Sequence, residues 1–221
     1  MPWASLGRTP AADVAAAVIG ALLRGFARLV TGVRGRSVGA RGVAGPVIYF
    51  ANHASHGDFV LIWTVLSPAL RRLTRPVAGA DYWSQGRIRP WLAAHVFNAV
   101  LIDRGKLDRN SDPTAPVLAV LDAGQSVIIF PEGTRNQSDE PLLPFKSGLY
   151  RLAAARPAIP LVPVWIENIA RVMPKGEFLP IPLLCSVTFG PAIGLAPGEL
   201  RSLFLARAAA AVRSLSPSEA E

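Results

Sequence analysis

The sequence contains a single cysteine, Cys185, and it lacks a continuous apolar run long enough to cross a bilayer. One cysteine excludes a framework of intrachain disulfides, and its place in an apolar run predicts a buried thiol. A spanning helix needs about 20 apolar residues, whereas Val14–Leu23 supplies ten before Arg24 interrupts it. A secretory signal is not predicted either, because Arg8 is the only charge ahead of this run and Asp13 intrudes.

Acidic residues are few: 15 stand against 23 basic ones, which gives a formal net charge of +8, and arginine supplies 20 of the 23. Such a balance favours anionic partners, namely nucleic acid, lipid headgroups or phosphorylated substrates. No nucleic-acid motif accompanies the aromatic and arginine-rich residues 82–91, so we expect a headgroup layer and no nucleic acid. The three histidines are scattered, and no metal site is expected.

The N-terminal region predicts a helix, with Thr9 as its N-cap and Pro10 at its first position. Residues 1–45 carry six arginines and one acidic residue, Asp13. We therefore predict that residues 1–43 form an interfacial helix and a basic linker on the cytoplasmic side of the cell membrane, as a peripheral or monotopic anchor. The alternative is a helix packed on the domain with solvated arginines.

The rest of the chain predicts a single α/β domain over residues 44–215, with a central mixed sheet flanked by helices, and a frayed tail over 216–221. Val47–Phe50, Val100–Ile102 and Ser126–Phe130 have the pattern of buried strands, and each is followed by polar residues. In α/β folds, sites lie where strands end. Arg71, Arg72 and Arg75 are predicted to form a basic loop.

The first of these polar clusters contains His53 and Asp58, separated by four residues. Across a loop that enters a helix, with Gly57 supplying flexibility, the carboxylate can fold back onto the imidazole. A carboxylate on one ring nitrogen fixes the tautomer and leaves the other nitrogen to take a proton. The pair is thus a candidate general base for a hydroxyl. The alternative is that His53 caps the helix and that Asp58 is an ordinary first-turn charge.

Cations follow the later strands. Arg104 comes after Val100–Ile102, Arg135 comes after Ser126–Phe130, and Lys146 precedes a helix over Leu149–Ala155. The planar guanidinium suits bidentate binding of oxyanions, so a phosphate site is expected here. Each arginine taken alone has the alternative of a surface charge.

Taken together, these clusters resemble four motifs of the glycerolipid (lysophospholipid) acyltransferase family, 1-acyl-glycerol-3-phosphate acyltransferases included. NHASHGD at Asn52–Asp58 resembles the NHxxxxD motif, and VLIDRG at Val100–Gly105 resembles the second. FPEGTRN at Phe130–Asn136 resembles the third, and IPLVPV at Ile159–Val164 resembles the fourth. LLPFKSG at Leu142–Gly148 is similar to the segment after the third motif. Asn98 and Asn136 depart from the family pattern.

The resemblance implies that His53 is the general base and Asp58 its orienting carboxylate. It also implies that the acceptor is held by Glu132, Gly133, Thr134 and Arg135, that Arg104 and Lys146 lie at its phosphate, and that Pro163 shapes the acyl site. The implied reaction moves a fatty acyl group from acyl-CoA or acyl carrier protein to a lysophospholipid, 1-acyl-glycerol-3-phosphate, giving phosphatidic acid, without a cofactor. Lyso-ornithine lipid or glycerol-3-phosphate as acceptor, and a non-catalytic membrane-binding module, remain alternatives.

Overall fold

The structure is a computed structural model that describes residues 9–39, 45–55, 57–103, 112–167 and 184–217. Its strands are β1 (Arg34–Ser37), β2 (Ile48–Ala51), β3 (Thr74–Gly79), β4 (Val100–Ile102), β5 (Ser126–Ile129), β6 (Leu161–Glu167) and β7 (Ser186–Phe189). Its helices are α1 (Pro10–Thr31), α2 (Asp58–Val65), α3 (Pro68–Leu73), α4 (Ala80–Trp83), α5 (Ile88–Trp91), α6 (Ala115–Asp122), α7 (Gly148–Ala155) and α8 (Arg201–Arg213). A π-helical turn, Leu92–Val96, continues α5.

The described strands form one sheet in the order β1–β7–β6–β2–β5–β3–β4. Strands β2 to β6 run parallel, and β7 reverses direction against β6 while β1 runs parallel to β7. Tyr49 of β2 lies opposite both Ile128 and Val162, so β2 is central. The predicted α/β domain with a mixed central sheet flanked by helices is confirmed.

The core consists of one apolar layer on each face of the sheet. On one face α1 and α2 cover a layer that includes Ile62 and Trp63 of α2 and Val164 of β6. On the other face α6, α7 and α8 cover a layer that includes Phe50 and Phe204. All four residues of β2 are buried, because a strand with helices on both faces has no solvent side. This explains the continuous apolar run that precedes His53.

The segment predicted to be a basic linker contains an unpredicted strand. Strand β1, with the sequence RGRS, pairs in parallel with β7 and is exposed at all four residues. Its residues show no alternation of apolar and polar side chains, so the pairing depends on the partner strand and not on a local pattern. At the other end of the chain, Ser216 is buried, although it was predicted to begin a frayed tail.

The predicted basic loop is wrong. Arg71 and Arg72 lie in α3 and Arg75 lies in β3. Ser67 starts α3, because its side-chain oxygen accepts a hydrogen bond from the Leu70 backbone N–H at 3.3 Å, and Pro68 occupies the first helical position. The three arginines are therefore carried on regular structure, at positions fixed by the backbone.

The predicted start of α1 is confirmed. The Thr9 hydroxyl accepts a hydrogen bond from the Ala12 N–H at 3.2 Å, and Pro10 is the first helical residue. The helix continues past the ten-residue apolar run through Arg24 and Arg28, and it ends at Gly32, which has φ +52°. By length and composition alone, this helix is long and apolar enough to cross a membrane.

Candidate active site

The candidate site lies at the edge of the sheet where the parallel strands β2, β3, β4 and β5 end. A cavity of about 510 Å³ opens there, with His53 from the end of β2, Ile102 from the end of β4 and Pro131 just beyond β5 on its wall. Because parallel strands deliver their carboxyl ends to one edge, segments that are far apart in the sequence share the cavity. This placement agrees with the sequence prediction.

His53 and Asp58 form the predicted pair. The His53 Nδ1 atom lies 2.7 Å from the Asp58 Oδ2 atom. The Asp58 side chain is 1% exposed, whereas that of His53 is 18% exposed, so the carboxylate lies behind the ring. With Nδ1 engaged, the Nε2 atom is the nitrogen left for the cavity. The ring also stacks on Phe130, with 4.3 Å between ring centres and 19° between planes.

Backbone amides hold the Asp58 carboxylate in place. Its Oδ2 atom accepts hydrogen bonds from the N–H groups of Ala54 and Ser55 at 2.7 and 2.9 Å. Asp58 is also the first residue of α2, where the helix dipole favours a negative charge. Gly57 has φ −83° and ψ −7°, which any residue can adopt. The turn is thus closed by the carboxylate itself, and the flexibility expected of Gly57 is not what closes it.

Glu132 joins three segments of the site from behind. It is 1% exposed; one carboxylate oxygen accepts the His53 backbone N–H at 2.7 Å, and the other accepts the Leu143 N–H at 2.9 Å. Burial raises the pKa of Glu132, and the two amide hydrogen bonds oppose that rise. Glu132 does not line the cavity, so in this structure it contacts the backbone that carries the base.

The loop after β5 contacts both the His53 loop and the segment before α7. The Asn136 N–H donates to the His53 carbonyl at 2.6 Å, and the Lys146 N–H donates to the Pro131 carbonyl at 2.7 Å. Gly133 has φ +73°, and a Cβ there would lie 3.2 Å from the Lys146 Cγ atom. The left-handed backbone and this close approach both favour glycine at the position.

The rim of the cavity carries the predicted cations that the structure describes. Gly133, Thr134, Arg135 and Lys146 all line it. Arg104 lies outside the described residues. The strands that precede Arg104 and Arg135 are not neighbours, because β3 lies between β4 and β5. Deeper in, the wall is apolar and is built from β3, β4, β5, α6 and α7: Val77, Ile102, Val117, Ile129, Leu149 and Leu152.

Two other predicted residues lie away from the cavity. Pro163 is buried in the middle of β6, opposite Phe50 of β2, and it is not among the residues that line the cavity. Cys185 is buried as predicted, and burial raises the pKa of its thiol to about 11.

Sequence reasoning missed three contributors to the site. Asn52 uses both ends of its amide on β6: its Nδ2 donates to the Ile166 carbonyl at 2.9 Å, and its Oδ1 accepts the Ile166 N–H at 2.8 Å. This pairing continues the contact between β2 and β6 by one residue and fixes the point at which the chain leaves the sheet, just before His53. Phe130 supports the ring of His53, and Trp83, expected at a headgroup layer, lines the cavity and packs on Phe59. Asn52 and Phe130 lie within the first and third motifs and Trp83 lies outside all four, and a motif does not reveal which residues its side chains contact.

The acyltransferase family model matches residues 32–167 of the chain. A 1-acyl-sn-glycerol-3-phosphate acyltransferase of Cocos nucifera is 32% identical over 148 residues, which are 58% of this chain and 42% of that protein. One of Limnanthes douglasii is 29% identical over 187 residues, 79% of this chain and 59% of that protein. A lyso-ornithine lipid O-acyltransferase of Brucella abortus (strain 2308) is 26% identical over 137 residues, 59% of this chain and 46% of that protein.

Among solved structures, the 1-acyl-sn-glycerophosphate acyltransferase of Thermotoga maritima superposes with a TM-score of 0.68 and 19% identity, covering 98% of this chain and 85% of that one. This likeness shows the fold. The chain spans about two fifths to three fifths of the length of the curated relatives described above. The family match extends from the end of α1 through the fourth motif and includes the His53–Asp58 pair, so the chain belongs to the acyltransferase family.

Proposed function

We propose that the protein is an O-acyltransferase that moves a fatty acyl group from acyl-CoA or acyl carrier protein to the hydroxyl of a lysophospholipid, 1-acyl-glycerol-3-phosphate, giving phosphatidic acid. The observation that carries the proposal is the 2.7 Å contact between His53 Nδ1 and the buried Asp58 carboxylate at the wall of the cavity. That contact leaves Nε2 as a proton acceptor facing the space where an acceptor hydroxyl would sit.

The chemistry needs little more from the protein than this base. A thioester is already activated, so no enzyme nucleophile is required. His53 Nε2 takes the hydroxyl proton as the hydroxyl oxygen attacks the thioester carbonyl carbon. When the C–S bond breaks, the imidazolium returns that proton to the departing thiolate. Throughout, the Asp58 carboxylate stabilises the charge on the imidazolium and keeps the ring oriented.

The rim and the wall of the cavity suit the two parts of a lysophospholipid. Arg135 and Lys146 place positive charge beside His53 at the opening, and the guanidinium of Arg135 can bind a phosphate with two parallel hydrogen bonds. Arg104 remains a predicted third cation. The apolar wall formed by residues such as Val117 and Leu152 suits a fatty chain. Glu132 contributes to this site indirectly, through the backbone of His53.

One observation favours a second acceptor class. Asp81 lines the same cavity, and a carboxylate there would attract an ammonium group. Ornithine carries amino groups, and the Brucella abortus relative is named as a lyso-ornithine lipid O-acyltransferase. An acyl acceptor whose headgroup carries an ammonium group is therefore the alternative to 1-acyl-glycerol-3-phosphate. Asp81→Asn should lower kcat/KM for the acceptor with an ammonium group and leave kcat/KM for the phosphate acceptor unchanged or raised.

We further propose that α1 lies on the cytoplasmic surface of the cell membrane as a monotopic anchor. Ala16, Gly20 and Ala27 face the domain and are buried, while the other side of the helix exposes an apolar stripe. Its members are 53–83% exposed: Val14, Val18, Leu22, Phe26 and Leu29. A helix packed along the domain through one face and apolar on the opposite face fits an interface better than a span.

The proposed reaction is tested with purified protein, by measuring thiol release from acyl-CoA and from acyl carrier protein with a panel of acceptors. The panel contains 1-acyl-glycerol-3-phosphate, glycerol-3-phosphate and lyso-ornithine lipid. We expect release that depends on 1-acyl-glycerol-3-phosphate and a product that is phosphatidic acid. Release with lyso-ornithine lipid alone would mean that the acceptor is the one with an ammonium group and not 1-acyl-glycerol-3-phosphate. No acceptor-dependent release with any pair would favour a non-catalytic membrane-binding module.

A further inference from the structure

A second cleft lies at the opposite edge of the sheet from the His53 cavity, beside the residues that lead into β3, β4 and β5. Its volume is about 680 Å³, and it is formed by α1, α3 and the end of the π-helical turn. Four arginines line it: Arg24, Arg71, Arg72 and Arg75. Among the described lining residues Asp13 is the one carboxylate. This arginine cleft is therefore strongly cationic, and acyl transfer as proposed above makes no use of it.

Arg71 is fixed at the centre of the arginine cleft. Its Nε donates to the Trp63 carbonyl at 2.8 Å, and its Nη2 donates to the Leu66 carbonyl, so it satisfies carbonyls at the C-terminal end of α2. Burial lowers the pKa of Arg71, and the nearby charges of Arg24 and Arg28 lower it further. The like charges thus repel one another where they stand, and a bound anion would relieve that repulsion.

Trp63 holds two of the guanidinium groups at fixed positions. The guanidinium carbons of Arg24 and Arg71 lie 5.3 and 5.4 Å from the centre of its ring, within the range of a cation–π contact. Gly20 lets α1 come this close, because a Cβ at that position would lie 3.3 Å from the Trp63 ring. Both guanidinium groups are thus restrained before an oxyanion binds, so less side-chain entropy is lost on binding.

The arginine cleft also lies next to the exposed apolar stripe of α1. Val14, Val18 and Leu22 are 66%, 53% and 67% exposed. At 3.6 residues per turn, this stripe lies about a third of a turn around the helix from Arg24. A bilayer that receives the stripe therefore has its headgroup layer at the level of the cleft. A free anion gives no reason for the two features to be neighbours, whereas an anionic lipid does.

We propose that the arginine cleft binds the phosphate of an anionic phospholipid of the bilayer, at a site separate from the His53 cavity. The lipid would be neither donor nor acceptor. It would hold the domain in one orientation on the membrane, with α1 in the interface. The inference stands on the α1 surface and the arginines, and it does not depend on the identity of the reaction at His53.

The first test compares binding of the full chain to vesicles of phosphatidylcholine with and without phosphatidylglycerol. Each arginine beside an anionic surface contributes about 1 kcal/mol, or about fivefold in binding. We expect Arg72→Gln to lose about fivefold, and Arg24→Gln with Arg72→Gln about 30-fold, on phosphatidylglycerol vesicles only. Arg201→Gln is the matched control, because it removes one exposed arginine from α8, which packs on the other face of the sheet. Leu22→Gln should weaken binding to both kinds of vesicle.

The second test separates a defined site from diffuse attraction. Short-chain phosphatidylglycerol, kept below its micelle concentration, is titrated into the protein while the indole N–H resonances are followed by NMR. We expect a saturable shift at Trp63, assigned with Trp63→Phe, that is lost in the Arg24→Gln, Arg72→Gln variant. Trp83 lines the His53 cavity and reports binding there instead. Thiol release with soluble substrates should be the same in this variant as in the wild type.

Three results would overturn the proposal. Equal losses for Arg72→Gln and Arg201→Gln would mean that only net charge matters. An equal shift at Trp63 with short-chain phosphatidylcholine would mean that the cleft does not distinguish an anionic headgroup from a zwitterionic one. Saturation by inorganic phosphate with no competition from the lipid would make the cleft a site for small anions. None of these results bears on thiol release at His53, so they leave the proposed reaction standing.

Discussion

The two edges of the sheet differ in the charged groups that they carry and in the partners of those groups. At the edge with His53, hydrogen bonds within the protein hold the carboxylates behind the cavity: Asp58 Oδ2 accepts two backbone N–H groups and contacts the imidazole, and Glu132 accepts two backbone N–H groups. At the other edge, the guanidinium groups of Arg24 and Arg71 both lie over the ring of Trp63, and burial, followed by the nearby charges of Arg24 and Arg28, lowers the pKa of Arg71.

The difference matches what each edge is proposed to do. A general base has to be oriented before the substrate arrives, since reorganisation during the reaction would raise the barrier. Buried carboxylates tied to backbone amides provide that order. A binding site for an anion instead gains affinity when positive charges outnumber negative charges around it. One edge therefore binds its buried carboxylates with groups of the protein, and the other gathers four arginines around one carboxylate.

The largest expected effect is the loss of the base. General-base catalysis is typically worth about 10²–10⁴-fold, which is about 3–5 kcal/mol, so His53→Ala should lower kcat by at least 10²-fold. Asp58→Asn should also lower kcat steeply, because it removes the charge that stabilises the imidazolium. It also places an amide donor at the position of Oδ1, which has no hydrogen-bond partner among the described residues. Steady-state kinetics of thiol release measure both.

The double variant His53→Ala, Asp58→Asn should be little worse than the poorer single variant, because both residues serve one proton transfer. His56→Ala is the matched control, as a histidine in the same motif to which no role is assigned. Near-normal turnover in His53→Ala, or a loss confined to His56→Ala, would contradict the mechanism and would leave the first edge without its distinguishing function.

A smaller effect is expected from Glu132→Gln, which keeps the shape of the side chain. A glutamine has one carbonyl oxygen, so either the His53 N–H or the Leu143 N–H would face an NH₂ group and lose its partner. A buried unsatisfied group costs about 1–3 kcal/mol, and the free energy of unfolding in urea should fall by that amount. Turnover should fall as well, because the backbone of His53 shifts. Glu140→Gln, an exposed acid in the following loop, should change neither quantity.

The smallest effect is expected at the other edge. Arg72 is exposed, and Arg72→Gln should change the free energy of unfolding by no more than about 0.5 kcal/mol, measured in the same urea titration. Removing a charge would then cost stability at the first edge and not at the second. A loss for Arg72→Gln as large as that for Glu132→Gln would mean that the arginine cleft is part of the packing and would remove the contrast.

Much of the fold was readable from local pattern. The starts of α1 and α2 and strands β2, β4 and β5 follow from caps, apolar runs and the polar residues that end them, because these signals act within a few neighbouring residues. The pairing of His53 with Asp58 was also predictable, since it spans one turn. Strand β1 and helix α3 were not predicted. RGRS has no strand pattern, and the charges of Arg71 and Arg72 suggested a loop although Ser67–Pro68 is a signal for the start of a helix.

The sequence by itself determined the chemistry available at the site: a histidine, a carboxylate within one turn of it, and cations after later strands, all with recognisable spacing. Only the tertiary structure decided what each residue contacts. It turned Glu132 away from the cavity, put Pro163 in the middle of the sheet, and brought Arg24 of α1 to Trp63 of α2, about forty residues away in the chain. Contacts of this kind depend on how strands pair and helices pack, and those choices are made by the whole core and not by any short segment.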